Sequence, residues 1–574
     1  MDSRTAAHIL DQISALLKLT GAPRFTANAY RNAAAAVLAL GADDLAPLLH
    51  SGELKKTPGL GPATIGVIRD LVETGESSYL NRLTEGTPRG LIEMARVPGL
   101  GVAKVGLIHD ALGIETLDEL EQAARDGRLA KVKGFGPKTA ERVLSGIGFA
   151  RESGKRTLIH RGLAQAMVLE DQVGRHPDVI EAMIAGSIRR VTEIVSEIDI
   201  VAACSADPVE VAKSFANGAA VKKATRDGSS ICVEYIDGVR MNLLCALPED
   251  SSVALWKATG SDTHREQIVA HATEKKLKID GLKLRNSRGS AITVESEEEF
   301  FTKLGLEDIP PELREGMGEV EAAAAHELPI LVESKDIRGA LHNHTSWSDG
   351  GASIAEMALA AQALGWSYIG ISDHSQFAFY AGGMKRDKVL RQHEEIDELN
   401  SRMTKFRILK GCECDILPSG NLDYEDDTLD LFDYIVGSVH SQFKMPGDVM
   451  TARVLRAMDD PRLTILGHAT GRLLLSRQGY AIDVDAVIEK AAETGTAIEL
   501  NSDPYRLDLD WRHCRRARDA GVLIAIGPDA HSEDSLENVE MGVALARKAW
   551  CGKKDVLNTR TWKQVLAFAR AKKR

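Results

Sequence analysis

Leu341-His342-Asn343-His344-Thr345-Ser346-Trp347-Ser348-Asp349-Gly350 sets two histidines one residue apart, behind an apolar approach of Ile337, Ala340 and Leu341. That spacing predicts the end of a strand with both rings on one face, because side chains alternate with period two in β structure. Imidazoles so paired, with a carboxylate shortly after at Asp349, can bind transition metals. A lone H-x-H fits equally well with one buried and one exposed histidine, so its weight depends on partners elsewhere in the chain.

Outward from that stretch, strand-like apolar runs alternate with helical segments. The runs are Tyr368–Ile371, Ile408–Gly411, Tyr434–Gly437, Leu463–Leu466, Ala497–Leu500 and Leu523–Ile526. Repeated β-then-α units predict an α/β barrel whose strand C-termini converge on one mouth. Polar residues follow the runs in step: Asp373 and His374, then Glu413 and Asp415, His440, His468, and finally Asp529 and His531. Of the eight histidines after residue 330, only His393 and His513 lie away from a strand end. Asp373 and Asp415 fit either the orientation of ligating rings or helix capping. Asn501, Arg506 and Asp508 lie on a further strand-end loop, where Arg506 suits a DNA phosphate or a structural ion pair.

The first 150 residues read differently. Two helical stretches are followed by three G-x-G turns, each opening an apolar helix: Gly59-Leu60-Gly61, Gly99-Leu100-Gly101 and Gly134-Phe135-Gly136. Such turns present free backbone amides at a helix N-terminus, a phosphate site indifferent to base sequence. The third gathers Lys131, Lys133, Lys138 and Arg142, suited to phosphate backbone or to a solvated basic face. The net charge of −12 looks wrong for a nucleic-acid binder, but residues 1–150 carry 17 basic and 17 acidic side chains, so the acidity lies further along.

Between 150 and 300, Gly186-Ser187-Ile188-Arg189-Arg190 precedes the strand-like Glu197-Ile198-Asp199-Ile200, with Glu197 and Asp199 on one face. A partner strand carries Asn242, and Thr259-Gly260-Ser261 follows. Two carboxylates so placed can hold a divalent cation for phosphoryl transfer. Ser187 and Arg190 suit nucleotide phosphates.

No run of about 18 apolar residues suggests a membrane span, and the N-terminus lacks a signal-peptide layout. Seven cysteines without a C-x-x-C pair argue for a reducing cytosol.

In its order of helix-hairpin-helix modules, Gly-Ser-x-Arg-Arg, acidic strand and Thr-Gly-Ser, residues 1 to about 300 resemble a family X DNA polymerase. Family members hold two Mg²⁺ with three aspartates, and the matching positions here are Glu197, Asp199 and Asn242. The resemblance also implies nucleotide contacts at Ser187, Arg190, Gly260 and Ser261. DNA contacts are implied at Gly59, Gly61, Gly99, Gly101, Lys133, Gly134, Gly136 and Lys138. Four departures accompany it. Asn242 replaces a carboxylate, Lys257-Ala258 replaces an aromatic pair, Val191 replaces a glycine, and Val67 replaces the Schiff-base lysine of members with lyase activity. Mg²⁺ or Mn²⁺ is therefore expected to be held weakly at this palm, and lyase activity is not expected.

From 336 onward, H-x-H-x-x-x-x-D, D-H-S, G-x-E, G-S-x-H, G-H and P-D-A-H resemble, in family order, the PHP phosphoesterases (named for polymerase and histidinol phosphatase). That resemblance implies three metals, Mn²⁺ or Zn²⁺. His342, His344 and Asp529 would hold one, His440 and His468 a second, with Glu413 bridging; Asp349, His374 and His531 would hold the third. His342, His344, Glu413, His440 and Asp529 would then serve a metal-activated water.

The expected fold is multidomain, α+β and α/β. Its parts are a helical domain over 1–85, a helix-hairpin-helix pair over 86–150, a nucleotidyltransferase-like palm over 151–245, a thumb-like part over 246–310, a linker over 311–335 and a distorted (β/α) barrel over 336–574. The expected function is 3′–5′ exonuclease or 3′-end phosphoesterase action on gapped, nicked or 3′-ended DNA, in a monomeric, cytoplasmic, nucleoid-associated repair protein. An active gap-filling polymerase edited by the PHP site and a non-catalytic DNA-end binder are the alternatives.

Overall fold

Six parallel strands, Tyr368–Ile371, Arg407–Asp415, Tyr434–Ser438, Leu463–Leu466, Ala497–Asn501 and Ile524–Gly527, lie in chain order in one sheet of the computed structural model. The structure describes residues 3–19, 22–38, 40, 42, 45–75, 77–85, 91, 94, 97, 100, 102–153, 156–218, 221–235 and 238–572. Gly99 and Gly101 of the second G-x-G turn lie outside the described residues.

The six strands are buried on both faces, as parallel strands covered by helices must be. Ile369, Ile408, Ile435, Ile498 and Ile526 pack on one side with the surrounding helices. Tyr368, Leu409, Tyr434, Ile465, Ala497 and Ala525 pack on the other, with Val565, Leu566 and Ala569 of the last helix, Trp562–Lys572. Alternation then carries the second face upward to Glu413, Glu499 and Asn501. Gly370 and Gly411 leave room for the Tyr434 side chain, whose hydroxyl a Cβ on Gly370 would strike at 2.3 Å and whose ring a Cβ on Gly411 would strike at 2.1 Å.

The segment expected to be a strand ending at His342 and His344 is not a regular strand. It makes an isolated parallel bridge, Asn343 with Ala530. It nevertheless joins both edges of the sheet. Gly370 N–H donates to Ala340 O (2.8 Å) and Ser372 N–H to Asn343 O (2.8 Å) on one side; His344 N–H donates to Ala530 O (2.7 Å) on the other. The curled sheet thereby closes into a distorted barrel. The departure from regular pairing follows from the sequence, because Asn343 turns inward and spends its Nδ2 on Ala340 O and Gly370 O.

Ahead of the barrel, Val179–Ile184, Ile198–Cys204, Arg240–Ala246, Ser230–Tyr235 and Val221–Asp227 form a five-stranded sheet in that order. Ile198–Cys204 and Arg240–Ala246 run parallel, with Asp199 directly opposite Asn242. The stretch 311–335, expected as a linker, is packed rather than loose. Leu313, Val320 and Ala323 share a core with Trp256, Phe300 and Trp550. Palm and barrel are also joined directly: Arg472 pairs with Glu193 and Asp510, Lys548 Nζ donates to Arg190 O (2.8 Å), and Arg547 pairs with Glu312 (2.7 Å).

Met1–Lys155 and Arg156–Arg574 form two units. In the first, Gly59 and Gly134 take φ of +91° and +92°, which only glycine adopts freely. The helices Pro62–Thr74 and Pro137–Ser153 start directly after Gly61 and Gly136. Lys131, Lys133, Lys138 and Arg142 are exposed along the third turn and its helix. Val67 lines a cleft of about 660 Å³ with Tyr30 and Tyr79, and brings no amine to it.

Candidate metal centre and palm site

All nine histidines and carboxylates expected at the barrel mouth lie together. Glu413 is their hub: its Oε1 lies 3.0 Å from His468 Nε2, 3.1 Å from His440 Nε2 and 3.4 Å from His342 Nε2, and its Oε2 lies 3.0 Å from His374 Nδ1. Asp529 Oδ1 sits 3.3 Å from His344 Nε2 and 3.6 Å from His342 Nε2. Asp349 reaches His531 Nε2 at 3.4 Å and His374 Nε2 at 3.5 Å. Four sets are compact enough for one cation each: His342, His344 and Asp529; His342, Glu413 and His468; His374, Glu413 and His440; and His344, Asp349, His374 and His531. These sets share members where the expected ones did not: Glu413 joins His468 with His342 in one and His440 with His374 in another, while the His440 and His468 rings meet edge to face with centroids 5.3 Å apart.

The donor chemistry fits divalent cations. His342 Nε2, both ring nitrogens of His344 and His374 Nδ1 are buried and make no hydrogen bond among the described residues, a state that is costly unless something else occupies the lone pair. Burial, with the charge of His374 next, holds His344 down to about 3, so it is neutral. Burial opposes ionisation of Glu413, but His440, His374 and His342 hold it well below the carboxylate range. Asp529 is likewise held low against its burial, by His342, His344 and Arg506. His374 and His440, also against burial, rise to about 10 and 9 through Glu413. The carboxylates thus demand positive charge, which protons supply when cations do not, so cation uptake releases protons.

Glu499 was not among the expected residues, yet it organises the site. Its Oε1 accepts from His342 Nδ1–H (2.5 Å), which directs the Nε2 lone pair inward. Its Oε2 accepts from the His468 backbone N–H (2.6 Å) and from Asn501 Nδ2 (3.3 Å). Asn501 Nδ2 also donates to Asp529 Oδ2 (3.1 Å). A Cβ at Gly527 would meet Glu499 Oε1 at 1.9 Å, which accounts for glycine there. The signal in the sequence was a carboxylate inside an apolar strand, two residues before Asn501 and so on its face.

The other candidates divide. Asp415 Oδ1 lies 3.3 Å from His440 Nδ1. Among the described residues Asp373 makes no hydrogen bond to a ring; it accepts from Thr345 N–H (2.8 Å), Thr345 Oγ1 (2.6 Å) and Gln392 Nε2 (2.6 Å), and so fixes the turn between His344 and Asp349. Arg506 Nε lies 3.3 Å from Asp529 Oδ2. Asp508 accepts from the Thr470 N–H (3.1 Å) and hydroxyl (2.9 Å). Asp529 holds a φ of +51°, a strained backbone of the kind found where geometry serves a site.

At the palm, Asn242 Nδ2 donates to Asp199 Oδ1 (2.9 Å) and the Ser187 N–H donates to the same carboxylate. Burial pushes the Asp199 carboxyl up, and the Asn242 hydrogen bond only partly offsets this. A Cβ at Gly186 would strike Asp199 Oδ2 at 1.8 Å. Glu197 faces Arg240 at 3.9 Å. Arg190 is engaged with Glu315 (3.0 Å) and Thr259 O (2.6 Å). Ser261 caps the helix Asp262–Glu274, and a Cβ at Gly260 would meet His264 at 2.7 Å. Val191 takes φ +56°, the left-handed region that a β-branched residue enters only under strain. Among the described residues, every compact set of three or more metal-ligand side chains lies in the barrel and none at the palm.

Comparison with known proteins gives three family matches: the DNA polymerase beta thumb over residues 254–315, the SAM-like helix-hairpin-helix tandem over 91–148, and the PHP domain over 340–503. The chain is 36% identical to the DNA polymerase/3′-5′ exonuclease PolX of Bacillus subtilis, over 99% of each chain. It is 29% identical over 248 residues to a probable phosphatase of Clostridium acetobutylicum, 40% of this chain and 94% of that protein. It is 27% identical over 250 residues to a probable phosphatase of Thermoanaerobacter sp., 41% of this chain and 94% of that one.

Proposed function

The chain belongs to the bacterial family X DNA polymerases that carry a C-terminal PHP domain, and on that premise we propose that it is a divalent-metal-dependent 3′–5′ exonuclease and 3′-end phosphoesterase acting on gapped, nicked or free DNA ends. The observation that carries this reading is the convergence of nine ligand side chains at the barrel mouth, with buried ring nitrogens that make no hydrogen bond among the described residues. His342, His344 and Asp529 would hold one cation; Glu413, with His468 on one side and His440 on the other, would serve a second; Asp349, His374 and His531 would hold a third, with Mn²⁺ or Zn²⁺ suiting the mixed imidazole and carboxylate set. Cations held there supply a nucleophile at neutral pH and neutralise charge developing on a phosphoryl oxygen. Glu499 keeps the His342 lone pair aimed inward, Asp415 steadies His440, and Arg506 stands beside Asp529 to take a phosphate oxygen.

The palm is weak or silent as a polymerase. Asn242 lacks a charge for Mg²⁺ or Mn²⁺, and its Nδ2 also occupies the Asp199 oxygen that a cation would need. The exposed lysines at the third hairpin, with the Gly59 and Gly134 turns, bind the DNA backbone without reading sequence. The domain division is that given by the sequence motifs, with 311–335 packed into the thumb-like part. Among the described residues no helix is long and apolar enough to cross a membrane; a monomer working at the nucleoid in the cytoplasm is part of the proposal.

Shortening of a 5′-labelled primer-template in Mn²⁺ tests it. The chain should release nucleotides from the 3′ end, lose this with chelator, and lose it in His440→Ala. Full shortening by His440→Ala would overturn the reading. The name of the Bacillus relative favours a second reading, gap filling edited by the barrel site. Extension by nucleotides that survives His342→Ala but not Asp199→Ala would establish that instead.

A further inference from the structure

Within one short loop, Phe377 is 41% exposed, Phe379 84% and Tyr380 65%. Single exposed apolar side chains are ordinary, but three aromatics in four residues form a patch that asks for a partner. The loop belongs to the barrel mouth. It leaves from His374 and returns to it: Met384 N–H donates to His374 O (2.9 Å), and Ser375 bridges Met384. Its backbone is fixed throughout. Phe377 N–H donates to Asp423 Oδ2 (2.8 Å), Gly383 N–H donates to Ala378 O (3.1 Å), and the Tyr424 hydroxyl donates to Met384 O. Gly382, at φ +71°, packs so closely on the turn bearing Asp349 that a Cβ would lie 3.1 Å from Ser348 O. The two exposed rings, Phe379 and Tyr380, meet edge to face with centroids 6.0 Å apart. Partial burial, then the charges of Asp415, Glu413 and Asp349, push the Tyr380 phenol up to about 12, so the ring stands within electrostatic reach of the ligand cluster. One cation stands nearby on another loop: Arg506, beside Asp529 and within electrostatic reach of Tyr380.

Rigid aromatic surface beside a phosphoester site, with a cation at hand, is the arrangement that holds nucleic acid by base stacking while its phosphates are bound. We propose that Phe379 and Tyr380 are positioning residues that stack on the bases of the last nucleotides of the strand being shortened, holding the scissile phosphate at the Glu413 cluster without regard to base identity. This rests on the phosphoesterase reading above and assigns the residues that seat its substrate.

The full chain, in Mn²⁺, is given two strands with the same phosphates: one of ordinary nucleotides, the other with abasic spacers at its last two positions. The wild-type chain should process the ordinary strand with kcat/KM about tenfold higher, mainly through KM. In Phe379→Ala/Tyr380→Ala that preference should fall to about one, because base and ring have already been uncoupled on the protein side. Phe379→Tyr/Tyr380→Phe, which keeps the aromatic surface, should retain it. An alanine variant that keeps the wild-type preference, or an aromatic variant that loses it as alanine does, overturns the proposal. Failure of the wild-type chain to shorten either strand, with His440→Ala no different, overturns the phosphoesterase reading itself and takes the proposal with it.

Discussion

Replacing Asn242 by aspartate restores a carboxylate directly opposite Asp199, where the present pair shares a hydrogen bond of 2.9 Å. Without metal, that bond, about 1 kcal/mol net, is lost. Two like charges about 4 Å apart also repel by about 4 kcal/mol at an effective dielectric near 20. The carboxylates can rotate apart or share a proton, so the net loss should be about 2–4 kcal/mol. Burial already holds the Asp199 carboxyl above its ordinary value, and a second carboxylate raises the pair further. The native state then binds more protons than the unfolded chain. The deficit is therefore largest above the raised pKa and shrinks as pH falls through it toward 3.8. Urea unfolding of Asn242→Asp and parent, in chelator and then in Mg²⁺, measures the gap; primer extension measures its use. Mg²⁺ should close most of the gap, and extension should rise at least about tenfold. A variant as stable as the parent in chelator, or a gap that Mg²⁺ leaves unchanged, would refute the account of the palm.

Val191→Gly should stabilise the chain by about 1 kcal/mol, since glycine adopts φ +56° without the side-chain clash, read as a higher urea midpoint at unchanged m-value. Glu499→Gln keeps shape but weakens the hold on His342, so metal affinity at the barrel should fall about 10- to 100-fold in a competitive chelator titration, with activity recovered at high Mn²⁺. Lys133→Ala/Lys138→Ala should weaken DNA binding equally for unrelated sequences and reduce the slope of log Kd against log salt by about 2, measured by fluorescence anisotropy.

The barrel and its ligands were legible because strand ends and their polar residues recur in step along the sequence. Each motif is local, and the topology that gathers them at one mouth follows from the β-then-α repeat. What was not legible depended on pairing across long separations. Glu499 is one strand residue among apolar neighbours until its register beside His342 and His468 is known. The sharing of His342 among two sets depends on the ring orientation that Glu499 imposes. The palm departure at Asn242 could be read as a missing charge, but its hydrogen bond to Asp199 required the parallel register of the two strands. Arg190 is engaged by Glu315, far along the chain, which no local pattern announces, whereas Ser261 caps the helix that starts at the next residue. Val191 was visible as a misplaced residue, and only its dihedral shows the strain that accompanies it.

The segment carrying His342 and His344 is hydrogen-bonded on one side to residues close in sequence and on the other to Ala530, with nearly the whole barrel sequence between. Its near side can form early, while its far side waits on a loop closure of high contact order. Contact order therefore predicts that the far side of the ligand cluster closes late as the chain folds. In a barrel with the sheet in place and the far side open, the set of His342, His344 and Asp529 would be the one left incomplete.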